Sequence, residues 1–231
     1  MLADEEKAAY QQRFFKTGEG QYAEADVFWG IKIPETRQIA IKYRLLPLTE
    51  TAKLIQHQVH EVRLCGLFIL EKKFELADEK EKKDVVDCYL THTDYINNWD
   101  LVDSTAYVIL GNYLVDKPRD VLYQLAKSNK LWSQRIAIVS TLSFIRNNDF
   151  DDTLSIAEIL FDSPHDLIHK AIGWMLREMG KRNQSRMMAF LRTNYSRIPR
   201  TSLRYAIEKL PEFYRKNILK GKFKVDDNYG Q

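Results

Sequence analysis

The sequence predicts an all-α fold, a right-handed α-solenoid of stacked helix pairs with a basic concave face. Three observations lead there. Apolar residues recur at i, i+3 and i+4 along most of the 231 residues, and no long run alternates with the period of two that a half-buried strand needs. All six prolines, Pro34, Pro47, Pro118, Pro164, Pro199 and Pro211, fall between periodic segments or at their first turns, where a missing N–H breaks no helical bond. Asn-Gly and Asp-Gly hairpin signals are absent.

Taken in order, the periodic segments predict helices over 4–15, 34–43, 48–56, 61–75, 79–91, 100–114, 118–127, 132–146, 151–161, 165–180, 185–195 and 199–209. Prolines punctuate the starts at 34, 48, 118, 165 and 199. Within 61–75, Leu64, Leu67, Phe68 and Leu70 suit a helix buried on much of its circumference, and the stretch from Arg135 to Ile145 is similarly apolar. Asp100 precedes an apolar run and faces the N–H groups of a first turn, so it is expected to cap the helix over 100–114.

Several helices open alike, with a basic residue followed by an apolar run. They are Arg63-Leu64-Cys65-Gly66, Arg135-Ile136-Ala137-Ile138, Lys170-Ala171-Ile172-Gly173 and Arg204-Tyr205-Ala206-Ile207, at intervals of 72, 35 and 34 residues. Helical repeats of roughly 35–45 residues mark stacked helix pairs, and the irregular spacing without a TPR pattern fits a HEAT-like array. One HEAT-like repeat domain is expected over 1–220, with a C-terminal tail over 221–231. Equivalent repeat positions place Arg63, Arg135, Lys170 and Arg204 along the concave face, where a row of cations can track a phosphate backbone.

Charge supports a polyanionic partner. Lys170 to Lys224 holds 15 Lys and Arg against 3 Asp and Glu, a net of +12 in a chain whose total is only +3. Composition excludes other classes. Hydrophobic residues make up 45% and charged residues 29%, an ordinary globular balance that rules out disorder. Mean hydropathy is −0.42, and no apolar run nears the roughly 20 residues that cross a bilayer. The charged N-terminus lacks the apolar core of a secretory signal, so a cytoplasmic protein with no membrane association is expected. Cys65 and Cys88 are too few for a disulfide framework or a four-ligand zinc site, and fit helix packing in a reducing compartment. His165 and His169 are four apart but lack an HExxH pattern, and Gly18-Glu19-Gly20 is too short for a phosphate loop, so neither metal nor cofactor is expected.

One repeat departs from the basic pattern. In Asn98-Trp99-Asp100-Leu101-Val102-Asp103 a carboxylate stands where the other repeats carry a cation. A carboxylate on a phosphate-binding face weakens binding, so it calls for a chemical role or for a partner such as Arg135 in an inter-repeat ion pair. Trp99 lies one helical turn before Asp103, and Trp174 one turn after Lys170. Indoles on a basic surface can stack on sugars or bases, although tryptophan is more often a core residue.

These segments carry a resemblance. Phe28-Trp29-Gly30-Ile31-Lys32-Ile33-Pro34-Glu35-Thr36-Arg37, Trp99-Asp100-Leu101-Val102-Asp103, Leu131-Trp132-Ser133-Gln134-Arg135-Ile136-Ala137-Ile138 and Lys170-Ala171-Ile172-Gly173-Trp174-Met175-Leu176-Arg177-Glu178, in this order, resemble the AlkD-like family of DNA alkylation repair proteins, HEAT-like repeat DNA glycosylases. The resemblance covers most of the chain. It implies excision of positively charged N3- and N7-alkylpurines from duplex DNA, with Asp103 catalytic. Trp99 and Trp174 would touch the lesion's deoxyribose, and Arg135 the backbone. Active members also carry an aromatic residue on an N-terminal helix near the lesion. Here the matching stretch is Lys16 to Asp26, with Tyr22 as the aromatic, and its glycines disfavour a continuous helix.

A cationic alkylated base is already activated for departure, so one carboxylate that stabilises the oxocarbenium sugar suffices. The protein is accordingly expected to act on double-stranded DNA as a monomer, without a cofactor and without a deep base pocket. Two readings stand beside this one. Shorter relatives on the same scaffold bind damaged or branched DNA without excision, and a basic helical array can instead meet an acidic protein.

Overall fold

A computed structural model describes residues 3–24 and 26–223. Among these residues the chain is helical throughout, and extended pairing is confined to one isolated bridge between Val27 and Val59. The all-α class is therefore observed. Contacts group the helices into two compact units, residues 1–117 and 118–231.

The first unit contains α1 (Glu5–Gln12), α2 (Ile33–Lys42), α3 (Leu48–Ile55), α4 (His60–Leu76), α5 (Glu79–Thr91) and α6 (Trp99–Ala106), the last continuing into a π-helical turn over Tyr107–Gly111. Its hub is α4, which packs on α2, α3, α5 and α6. Leu64, Leu67, Phe68, Ile69, Leu70 and Phe74 are all buried, as the nearly continuous apolar run of this helix predicts. Asp78 starts α5 with a capping box: it accepts from Glu81 N at 2.8 Å, and Glu81 returns a carboxylate to Asp78 N at 3.1 Å.

The N-terminal helix α1 hangs on the loop before α2. Asp4 N donates to the Trp29 carbonyl at 2.8 Å, and Gln11 Nε2 to that of Ile31 at 3.2 Å. Gly30 makes this approach possible. Its φ is +77°, and a Cβ there would overlap the Asp4 carbonyl and lie 2.6 Å from Ala8 N. The loop itself is held from below by Glu61 of α4, 4% exposed, whose carboxylate accepts from the amides of Trp29 (3.0 Å), Gly30 (2.8 Å) and Ile31 (3.3 Å).

The second unit contains α7 (Asp120–Ala126), α8 (Leu131–Ser140), α9 (Leu142–Arg146), α10 (Asp151–Ile159), α11 (Asp166–Gly180), α12 (Gln184–Thr193), α13 (Arg200–Ala206) and α14 (Glu212–Ile218). Here α11 is the hub, packed on α8, α12 and most closely on α13. Gly173 sits at that crossing, and a Cβ on it would overlap Tyr205 and come within 2.6 Å of the Ser202 carbonyl oxygen. A glycine inside a helix forfeits about 1 kcal/mol of propensity relative to alanine. The backbone approach of α13 is what it provides in return.

The departures from the sequence reading are local. The helix expected over 132–146 divides at Thr141 into α8 and α9, where the hydroxyls of Ser140 and Thr141 turn back onto the carbonyls of Ile136 and Ile138 at 2.7 Å each. The helix expected over 100–114 widens into a π turn after Ala106. The sequence reading omits α14, which buries only Ile218 and so shows little periodicity. Of the tail expected over 221–231, only 221–223 are among the described residues. Phe223 is 8% exposed, packs edge-on to Tyr195 at 5.4 Å, and accepts a hydrogen bond from Arg192 at 3.2 Å; residues 224–231 lie outside the described set.

Candidate nucleic-acid interface

In the first unit the candidate residues gather at the start of α6. Asn98 is the N-cap and its Oδ1 accepts from Trp99 N at 2.8 Å. Asp100, expected as the cap, has another partner. It is buried, and its Oδ2 lies 2.8 Å from Nε2 of His60, the first residue of α4. Nδ1 of the same imidazole is 3.4 Å from Oδ2 of Asp26, an ion-pair distance without hydrogen-bond geometry. Burial works against a charge on His60, but the carboxylates of Asp100 and Asp26 outweigh it and push its pKa up to about 9. Asp26 is likewise opposed by burial, and His60 and Arg63 together hold its carboxyl below the usual range.

Arg63 completes this cluster and corrects one expectation. Its guanidinium donates to Asp26 Oδ1 at 2.6 Å and to the carbonyls of His57 (3.0 Å) and Gln58 (2.9 Å), and the residue is 4% exposed. So enclosed, it is not placed to meet a phosphate in solvent. It ties the entry of α4 to the loop before α2.

Above the cluster lies a stack of rings. The His60 ring faces Phe28 at 4.9 Å and 25°, Phe28 stacks on Phe15 at 5.0 Å and 19°, and Phe15 stacks on Trp99 at 5.4 Å and 26°. Trp99 is thus backed by a phenyl ring and only half-buried. Asp103, one turn along α6, is half-buried too. Of the two carboxylates in the motif, Asp100 is enclosed by the protein and Asp103 reaches the surface. Tyr22 is half-buried within a run of turns over 18–24, so the glycine-rich stretch forms no helix there.

The second unit holds the remaining candidates. Arg135 is 5% exposed and donates to the carbonyl of Leu167, in the first turn of α11. Like Arg63 it is enclosed, and the phosphate contact expected of it does not fit this burial. Lys170 is partly exposed beside Asp166 at 2.9 Å, and Arg204 is exposed. The repeat of basic residues therefore divides: two are buried against backbone carbonyls and two reach solvent. Trp174 is half-buried and lines a groove of about 530 Å³ whose rim carries Arg146, Lys181 and Arg182, with Glu178 between. Lys181 is bound to Glu178 at 2.7 Å and Arg182 to Asn148 at 3.3 Å. Leu142 and Ile145 complete the lining beside the single indole. None of the four tryptophans, at 29, 99, 132 and 174, is fully buried.

A family model described as DNA alkylation repair enzyme matches residues 1–210. The chain belongs to this family. A solved structure described as "Predicted DNA alkylation repair enzyme from Enterococcus faecalis" has the same fold, with a TM-score of 0.70 at 17% identity over 92% of this chain and 98% of that one. No match was found among curated proteins.

Several features of this family member have no advance signal in the sequence. Asp26 and His60 are 34 residues apart on a loop and a helix start, with no spacing that links them. Lys181 and Arg182 are lost within the basic stretch from Lys170 to Lys224, and Arg146 stands alone before the acidic residues Asp149, Asp151 and Asp152. No cluster of three or more metal-ligating side chains occurs among the described residues, and no helix there is long and apolar enough to cross a membrane. Burial pushes the Cys65 thiol up to about 11 and raises that of Cys88, so both are poor nucleophiles.

Proposed function

We propose that the protein is an intracellular DNA glycosylase that hydrolyses the N-glycosidic bond of positively charged N3- and N7-alkylpurines in duplex DNA. Membership of the DNA alkylation repair enzyme family supports the DNA substrate. The observation that carries the chemistry is the division of labour at the start of α6. Asp100 is enclosed against His60, whereas Asp103 stays at the surface one turn from a half-exposed indole.

An alkylated purine leaves as a neutral base, so no proton donor has to act on it. As the bond to C1′ lengthens, positive charge grows on the sugar, and the Asp103 carboxylate stabilises it. Water adds at C1′ and gives up a proton, leaving an abasic site and the free base. Trp99 and Trp174 are each half-buried, so part of each indole is open to a sugar, and Lys170 and Arg204 supply solvent-facing positive charge for the backbone. The test is release of 7-methylguanine from methylated duplex by the purified protein. Release supports the reading; binding without release overturns it.

The turns over 18–24, where active relatives carry a helix, favour a second reading on the same scaffold: a non-catalytic binder of damaged or branched DNA.

Both readings need phosphate contacts. Neutralising Lys170 and Arg204 together is expected to weaken duplex binding and to flatten the plot of log affinity against log salt by about one unit per lost contact. Unchanged affinity and slope would place the DNA elsewhere.

A further inference from the structure

His60 is enclosed by groups from three elements: Asp100 of α6, Asp26 of the loop before α2, and Arg63 one turn further along α4. With the imidazole protonated, these two carboxylates and two cations balance. Without that proton a buried anion is left uncompensated, which is costly in a poorly hydrated site. The charged ring also lies under the aromatic stack, 4.9 Å from Phe28 and 5.0 Å from Phe15. One face of Phe15 therefore meets the His60–Phe28 pair and the other supports Trp99. Two routes lead from one imidazole to the working end of α6. One runs through Asp100, in the helix's first turn. The other runs through Phe15 to the Trp99 ring.

We infer that His60 is a positioning residue: its imidazolium, clamped between Asp26 and Asp100, sets the orientation of the Trp99 indole and of the α6 turn that carries Asp103. What that oriented face does rests on the glycosylase reading; that His60 orients it does not. A core ion pair with no other role would stabilise the fold and leave Trp99 indifferent to the charge on His60.

The sign of the pH dependence follows from the raised pKa. The free imidazole has an ordinary value of 6.5 and the enclosed one about 9. The stabilising charge is fully in place below pH 6.5 and is lost as pH rises through about 9. The orientation of Trp99 should relax over that upper interval.

The experiment labels the full-length protein with 5-fluorotryptophan and follows the Trp99 ¹⁹F resonance, identified by its loss in Trp99→Phe, from about pH 7 to about pH 10. The Trp99 signal is expected to shift with a midpoint of about 9. In Asp100→Asn the midpoint should fall by at least about one unit, because one of the two charges that favour imidazolium has gone. In Phe15→Leu the His60 ring protons should still titrate while the Trp99 shift falls to less than half, since the ring-to-ring link is cut and only the route through Asp100 is left. His60→Gln should abolish the transition. Where base release is measurable, it should fall about tenfold in His60→Gln, chiefly in kcat, and lose the alkaline limb of its pH profile. A Trp99 resonance that is flat while His60 titrates in the unmodified protein overturns the inference. So does a Phe15→Leu variant that keeps the Trp99 shift undiminished. If Trp99 follows His60 but no alkylated base is ever released, the positioning role stands and the glycosylase reading falls.

Discussion

Replacing Asp103 with asparagine should reduce release of 7-methylguanine by at least about thirtyfold, the equivalent of about 2 kcal/mol of barrier, while affinity for duplex DNA holds or rises. Asparagine retains the size of the side chain and part of its hydrogen bonding, and it lacks the negative charge. A developing sugar cation loses its nearest counter-charge; a phosphate backbone loses a repulsion. The two effects have opposite signs, which makes the variant informative. If Asp103 instead serves only the fold, melting temperature should drop, and binding and release should fall in parallel. Melting temperature, dissociation constant and single-turnover release measured on one preparation separate the outcomes. A variant that excises at the rate of the unaltered protein would remove Asp103 from the chemistry.

The largest expected loss of stability comes from a single methyl group. Gly173→Ala would push a Cβ into Tyr205 and to 2.6 Å from the Ser202 carbonyl oxygen, where α13 crosses α11. Backbone cannot retreat as a side-chain tip can, so overpacking should cost about 3 kcal/mol, offset by about 1 kcal/mol of helix propensity. The net loss of about 2 kcal/mol corresponds to a melting temperature about 4–8 °C lower. Gly20→Ala is the comparison: its φ is +70° but no heavy atom lies within 4 Å, so only the backbone strain remains. Urea midpoints of the two variants, at an unchanged slope, would rank them. Equal stability of Gly173→Ala and the unaltered protein would mean that α13 does not rest on α11 as closely as the structure has it.

Periodicity made most of the helices legible because their apolar faces are long and their proline boundaries sharp. α5 runs over 79–91 in both the sequence reading and the structure. α14 was hidden because one buried residue makes no period. The repeated basic residue was legible as a position but not as an exposure. Arg63 and Arg135 are buried and donate to carbonyls, of the loop before α4 and of the first turn of α11, whereas Lys170 and Arg204 reach solvent from the equivalent place. A guanidinium that satisfies carbonyls inside the protein and one that reaches solvent look identical in a sequence. For the same reason Asp100 reads as a cap: the partner that draws it inward, His60, is 40 residues away.

The anchoring of the loop before α2 by Glu61 has a consequence on the timescale of amide exchange. A surface loop that carries a 42% exposed tryptophan would ordinarily exchange its amide protons freely. The amides of Trp29, Gly30 and Ile31 all end on one carboxylate of α4, and the Trp29 carbonyl in turn holds α1 through Asp4. Fraying that opens one of these bonds leaves the loop held by the other two on the same carboxylate, which disfavours opening one residue at a time. Loop and N-terminal helix should therefore open as one cooperative unit, with protection closer to that of the α4 core than to that of an exposed turn. Phe15, just beyond α1, then stands against Trp99 on a segment whose lifetime is set by a residue in the middle of the first unit.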